Sequence, residues 1–148
     1  MYITITGGRE LHFSPHQRSE FLRLIDGNVH VNGGARGIDH NAYILSASRP
    51  ETINGYVSGT ILMEAQWGKF GKAAGMIRNA EMLKLSDALI VCDGGRGTMN
   101  CFGRALKVGV PVIDFRGLNR ERQPIELPYG PARPRPKGIL KVSRDPWL

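Results

Sequence analysis

Three short stretches of this chain carry the residue types and spacing needed to hold an anion: Gly7-Gly8-Arg9, Gly33-Gly34-Ala35-Arg36-Gly37 and Gly94-Gly95-Arg96-Gly97-Thr98. Glycine admits positive φ and lets successive backbone N–H groups approach a ligand with no Cβ in between. A helix that starts just after such a turn points its partial positive charge at the same place. Each stretch also holds an arginine, whose planar fork of donors matches phosphate or carboxylate oxygens. One such turn is ordinary loop chemistry. Three of them in one chain point to a shared anionic ligand.

The segments around these turns are those that an α/β sheet would use to position them. Tyr2 to Thr6 alternates, with Ile3 and Ile5 on one face, and reads as a first strand ended by Gly7-Gly8. Ser14, Pro15 and Gln17 form an N-cap, a first-turn proline and a capping box, followed by a stripe of Phe21, Leu22, Leu24 and Ile25 that stops at Asp26-Gly27. Val29-His30-Val31 is a second short strand, and a helix from Asp39 offers Ala42, Ile44 and Leu45 to a core before Pro50. Residues 51–68 read in two ways. Thr52–Val57 and Thr60–Met63 form two strands joined across Ser58-Gly59, or only Ile61-Leu62-Met63 joins the main sheet and the rest is an excursion. A helix over Ala73–Leu83 aligns Met76, Ile77, Ala80 and Leu83, with Arg78 and Glu81 three apart on another face. Ala88–Cys92 is apolar without alternation, as in a central parallel strand buried on both sides. A helix over Met99–Val108 with Met99, Phe102 and Leu106 inward ends at Gly109-Val110-Pro111, and Val112–Phe115 is the last strand. This order predicts an α/β, Rossmann-like, doubly wound and mainly parallel sheet with helices on both faces.

The totals agree with one domain followed by a tail. The chain has 148 residues, 41% hydrophobic and 22% charged, with a net charge of +7. Residues 116–148 hold eight basic and three acidic side chains and six of the nine prolines, so 1–115 forms a nearly neutral domain and 116–148 a basic, Pro-rich C-terminal tail. Ile139–Val142 reads there as an edge strand with Trp147 pinning it, or the tail is disordered. No apolar run approaches the roughly 20 residues of a membrane helix, and the first residues read as a strand rather than a signal peptide. Cys92 and Cys101 are too few for a disulfide framework and no Cys/His spacing fits a metal, so the expectation is a cytoplasmic protein with no metal and no cofactor. Neither a P-loop nor a strand–Gly-x-Gly-x-x-Gly fingerprint is present, which removes the sequence basis for P-loop ATP hydrolysis and for dinucleotide redox chemistry.

Gly33–Asp39, Gly68–Asn79 and Asp93–Thr98, taken in order, resemble the YspA-like branch of the SLOG superfamily, kin to the LOG phosphoribohydrolases and the DprA-type DNA-binding proteins. The resemblance covers about residues 1–115. It implies a nucleotide-binding domain and, because members often pair through their helices, a homo-oligomer. The LOG signature is a Pro-Gly-Gly-x-Gly-Thr-x-x-Glu loop with an arginine on an earlier helix. Gly94, Gly95, Gly97 and Thr98 match the loop and Arg78 matches the arginine, while Asp93 replaces the proline and Cys101 stands in the glutamate's place. N-glycoside cleavage needs a carboxylate to stabilise an oxocarbenium-like species or to activate water, and a thiol does neither.

The candidate ligand-binding residues are therefore Gly8, Arg9, Gly34, Arg36, Arg78, Asn79, Gly94, Gly95, Arg96, Gly97 and Thr98. Plainer roles compete: Thr98 capping its helix, Arg78 paired with Glu81, Arg96 solvated, Asn79 exposed. Asp39 and Glu81 are the candidate catalytic carboxylates, with helix capping the competing role of Asp39; Glu64, Asp93 and His40 are weaker candidates. Trp67 and Phe70 either stack on a base or pack in the core. The leading expectation is binding, for sensing or sequestration, of a nucleotide or nucleotide-derived ligand such as an ADP-ribose-like molecule or a nucleoside monophosphate. The alternatives are a phosphoribohydrolase or N-glycosidase acting on a nucleoside monophosphate, and nucleic-acid binding through the basic tail.

Overall fold

The computed structural model describes residues 1–48, 52–53, 56–57 and 59–116. Apart from Arg116, the basic tail, its edge strand and the nucleic-acid binding expected of it lie outside the described residues. The chain order is β1 (Tyr2–Thr6), α1 (Pro15–Ile25), β2 (Val29–Asn32), α2 (Ile38–Ala47), β3 (Thr52–Ile53), β4 (Tyr56–Val57), β5 (Gly59–Leu62), α3 (Trp67–Phe70), a 3-10 turn (Gly71–Ala73), α4 (Ala74–Leu85), β6 (Ala88–Val91), α5 (Arg96–Val108) and β7 (Val112–Asp114).

Five strands form one all-parallel sheet in the order β5-β2-β1-β6-β7. The fold is thus the expected α/β, Rossmann-like doubly wound sheet. Of the two readings of residues 51–68 the excursion holds in topology, with the sheet strand at Gly59–Leu62 rather than Ile61–Met63: β5 joins the main sheet beside β2, while β3 and β4 pair only with each other. Chain order runs outward from β1 in both directions, so β1 and β6 flank the switch point. In an open α/β sheet a ligand crevice opens there, at the carboxyl ends of the strands.

Side-chain alternation along the strands divides the core in two. Ile3, Ile5, Ala88 and Ile90 pack against Phe21, Leu24, Ile25, Ile38 and Ala42 of α1 and α2. On the other face Leu89 and Val91 meet Leu83, Cys101 and Ala105, and Val31 and Ile61 meet Met82, all from α4 and α5. The capping box at α1 forms as read: Gln17 N–H donates to Ser14 Oγ at 3.1 Å and Ser14 N–H to Gln17 Oε1 at 2.9 Å. Gln17 also donates through Nε2 to the Phe115 carbonyl at 2.9 Å, fastening α1 to the end of β7.

Three helix faces differ from the sequence reading. α5 begins at Arg96, three residues before the expected start, and buries Thr98, Cys101 and Ala105, leaving Met99 and Leu106 40% and 61% exposed. α4 buries Ala74, Asn79, Met82, Leu83 and Leu85 rather than Met76, which is half exposed. α2 likewise turns Ile44 to solvent while Ala42 and Tyr43 go inward. α5 thereby turns its smaller side chains, Thr98, Cys101 and Ala105, inward, whereas α2 buries the large Tyr43 and α4 buries Met82, Leu83 and Leu85. Close approach of α4 and α5 rewards small contact residues, and the large apolar side chains are displaced outward.

Gly37 marks the tightest backbone approach. Its φ is +78°, and a Cβ there would lie 2.2 Å from the Gly8 carbonyl oxygen. Gly37→Ala is therefore expected to destabilise the fold by about 3 kcal/mol or more, from left-handed strain plus a backbone clash. Gly103→Ala, on α5 with nothing near its Cβ direction, is expected to stabilise by up to about 1 kcal/mol. Urea denaturation of the two variants checks both signs.

Candidate functional site

The glycine turns after β1, β2 and β6 meet at the switch point. Gly8 N–H donates to the Asp93 carbonyl at 2.8 Å, and the Gly8 carbonyl accepts from Ile38 N–H at 3.1 Å. The first turn is thereby tied to the third turn and to the start of α2. These contacts leave no room for side chains: a Cβ on Gly7 would meet Ile38 at 2.6 Å, and one on Gly94 would meet Thr98 Oγ1 at 2.2 Å and Gly8 N at 2.9 Å. Around them opens a cavity of about 550 Å³ whose walls come from all three turns and from α4. A second hollow of about 510 Å³ adjoins it, sharing Arg9, Ala35, Arg36, Trp67 and Arg78 as walls.

Most of the expected ligand-binding residues lie on these walls. Gly8, Arg9, Arg36, Arg78, Asn79, Gly95, Arg96, Gly97 and Thr98 line the first cavity, and Gly34 lines the second. Gly94 lines neither and acts one layer back, against Thr98. Arg96, Gly97 and Thr98 form the first turn of α5, since the first backbone hydrogen bond of the helix runs from Met99 N–H to the Gly95 carbonyl at 3.0 Å. Their N–H groups are unused by the helix and are donors of the kind that a helix N-terminus can offer to an anion. Thr98 does not cap the helix; the N-cap is Gly95 with no side-chain cap.

The cationic side chains differ in how far they are engaged. Arg78 donates to the Gly33 carbonyl and through Nε to Asn79 Oδ1 at 3.2 Å, which fixes the guanidinium at the mouth of the second turn. The alternative pair with Glu81 does not form. Glu81 binds Lys84 at 3.0 Å on the outer side of α4 and lines neither cavity, so its carboxylate is away from the other candidates. Arg36 pairs with Glu10 across an exposed edge. Arg9, Lys72 and Arg96 line the cavity with no hydrogen bond or ion pair among the described residues.

Asp39 is the one buried candidate carboxylate set among these cations. It is 5% exposed, lines the cavity and accepts from Ala35 N–H at 3.2 Å. Its carboxyl is pushed up to about 6 by burial, a rise limited by the nearby Arg78 and Arg9 guanidinium groups. It does not cap α2, whose N-cap is Gly37. Behind it runs a chain of buried polar groups. Asn32 Nδ2 donates to the Asp39 carbonyl at 2.7 Å and meets His30 Nε2 at 2.9 Å, while Asn32 Oδ1 accepts from Gly34 N–H at 2.7 Å. His30 and Asn32 are both fully buried. Their signal in the sequence was two polar residues alternating along a strand whose other positions are apolar, an inward-facing polar pair that needs partners.

The remaining candidates separate cleanly. Asn79 is buried, not exposed: its amide donates to the Gly97 carbonyl at 3.3 Å and to Asn100 Oδ1 at 3.2 Å, joining α4 to α5. Cys101 lies fully buried behind the cavity, its thiol pushed up to about 11 mainly by burial, so no carboxylate stands where the LOG pattern has one. His40 and Asp93 are exposed and line neither hollow. Trp67 and Phe70 are outside the core, 52% and 38% exposed; Trp67 lines both hollows, whereas the Lys69 ammonium sits 5.0 Å from the Phe70 ring centre. Glu10, Glu64 and Lys72 complete the walls.

Because the Asp39 carboxyl titrates near 3.8 when unfolded and near 6 when folded, the folded state holds its proton more tightly between those values. Its ionisation lowers stability as pH rises through this window, by about 3 kcal/mol at the plateau. Asp39→Asn is therefore expected to stabilise the protein by about 1–3 kcal/mol above pH ~6 and to give no gain below pH ~4. Thermal melts of both proteins across that range check it.

No family model and no solved structure matches this chain. Among the described residues no helix is long and apolar enough to cross a membrane, and no group of His, Cys, Asp and Glu is placed to hold a metal ion. One curated protein is similar to it: the Gene 61 protein of Mycobacterium phage D29, 37% identical over 109 residues that cover 72% of this chain and 78% of that protein. By that identity and coverage, the chain belongs to the family of the phage D29 Gene 61 protein.

Proposed function

We propose that this protein is a SLOG-type domain that binds a nucleotide or nucleotide-derived ligand across the carboxyl edge of its sheet, for sensing or sequestration. Convergence of the first turn of α5 with Arg9, Arg78 and Arg96 on one cavity carries this reading. A phosphate seated against the N–H groups of Arg96, Gly97 and Thr98 meets the positive end of a 13-residue helix. Arg78 is pre-positioned by its bonds to Gly33 and Asn79, so little side-chain entropy is lost when it engages an anion. The cavity volume falls within the range of small-molecule sites. Two buried, unpaired cysteines agree with a cytoplasmic setting.

A second reading, cleavage of a nucleoside monophosphate at its N-glycosidic bond, is favoured by Asp39. A carboxyl titrating near 6 on the cavity wall is mostly ionised at neutral pH yet more basic than an ordinary carboxylate, which suits a general base. The two readings separate on release of free base from a panel of nucleoside monophosphates. Retained binding with no base released supports binding alone, and base release abolished by Asp39→Asn supports the hydrolase.

Arg78→Ala is expected to weaken binding of AMP by about 10- to 100-fold, and Arg78→Lys to recover only part of that loss, because a point charge replaces a fork. Isothermal titration with a thermal-melt control for folding measures both. Unchanged affinity in Arg78→Ala removes the phosphate assignment. The same proposal includes self-association: α4 and α5 leave Met76, Met99 and Leu106 exposed, and light scattering of the full chain is expected to report a homo-oligomer.

A further inference from the structure

We propose that the hollow bounded by Gly34, Glu64 and Trp67 is a base-recognition compartment, in which Glu64 selects nucleobases that carry an exocyclic amino group. This rests on the nucleotide reading above and adds to it the class of base. The hollow is separate from the α5 terminus but shares the Arg9, Arg36 and Arg78 walls with the anion cavity. A molecule with a phosphate at α5 and a ring in the second hollow spans that common wall.

Glu64 is the only carboxylate among the described residues that line this hollow. It stands in a compartment with three arginines yet has no hydrogen bond or ion pair among the described residues. Its side chain lies beside Gly34: a Cβ built there would be 3.3 Å from Glu64 Cγ, a tight contact, and the φ of Gly34 is +72°, which favours glycine. A carboxylate in an anion-binding site opposes anion binding through Coulomb repulsion unless it has another partner. Ionised, it only accepts hydrogen bonds, so the ring edge that suits it is one with N–H donors, as at the amino group of cytosine or adenine. An oxo group in the same place sets two acceptors against each other.

Trp67 supplies the second half of the compartment. Its indole is 52% exposed and lines both hollows, and its benzo edge rests over Gly75, where an added Cβ would lie 3.4 Å from Cη2. Stacking on a ring face tolerates any base, so Trp67 contributes affinity and Glu64 contributes choice.

The test is isothermal titration of the full chain with the matched pairs AMP and IMP, GMP and IMP, and CMP and UMP, together with ribose 5-phosphate, which has no base. The ratio within a pair is the readout, because loss of the Glu64 charge tightens every anion alike. In the unaltered protein at least one amino-bearing nucleotide is expected to bind about tenfold or more tighter than the partner that lacks that amino group. In Glu64→Gln, whose carboxamide both donates and accepts, that ratio is expected to fall below about threefold. Trp67→Ala is expected to weaken nucleotides about tenfold relative to ribose 5-phosphate. Equal affinities within every pair, or a ratio unchanged in Glu64→Gln, overturn the proposal. If ribose 5-phosphate binds while the ratios are flat, only the base compartment falls. If neither ribose 5-phosphate nor any nucleotide binds, the nucleotide reading falls and takes this inference with it.

Discussion

Close contact between backbone segments at the carboxyl edge of the sheet is the constraint on which the site depends. The turns after β1 and β6 are bonded directly, Gly8 N–H to the Asp93 carbonyl, and the start of α2 is bonded to the first turn through Ile38 N–H and the Gly8 carbonyl. A methyl group at Gly7, Gly37 or Gly94 would overlap atoms of a neighbouring segment. Glycine at these positions serves the approach of one segment to another, and at Gly37 a left-handed φ as well. The consequence is a cluster of turns whose N–H groups and arginines surround one space, held by a rigid five-stranded frame.

The electrostatics of that space are set by one buried carboxylate among several cations. Asp39 accepts from the Ala35 amide of the second turn and lies near Arg78 and Arg9. Burial raises its proton affinity more than the guanidinium groups lower it, so the group titrates near 6 and is largely ionised at neutral pH. Arg9, Lys72 and Arg96 bring further positive charge to the cavity, and none of them has a hydrogen bond or ion pair among the described residues. Unpaired cations around exposed helix N–H groups are unfavourable on their own, through mutual repulsion, and become favourable with an anion between them. Under the proposed function, such an arrangement gives up stability of the empty domain in favour of occupancy.

The buried chain from His30 through Asn32 to the Asp39 backbone links the frame to the site. Asn32 bonds the second turn at Gly34 and the first turn of α2 at Asp39 from a single side chain. One strand residue thereby sets the geometry of the turn whose Gly33 carbonyl holds Arg78. Positioning of this kind, from buried rigid elements toward a polar surface, is what lets a loop-built site keep its geometry.

Local sequence determined much of this protein, because its signals act over a few residues. Ser14, Pro15 and Gln17 specify the start of α1 through contacts at most three positions apart. Gly109 ends α5 through its own left-handed φ. The unbroken apolar run of β6 identifies a strand buried on both faces. Together they also made the order of elements legible, and with it the convergence of the glycine turns at one sheet edge, since right-handed crossovers leave a parallel sheet few other topologies. Tertiary structure alone decided the rest. Which face of α5 turns inward follows from how closely α4 approaches it, so Cys101 and Ala105 displaced Leu106 although the apolar pattern favoured the larger residue. The proton affinity of Asp39 follows from depth and from Arg78, and the freedom of Glu64 from the absence of a bonded cation among the described residues. Burial and through-space charge are sums over residues distant in the chain, and no window of sequence contains them.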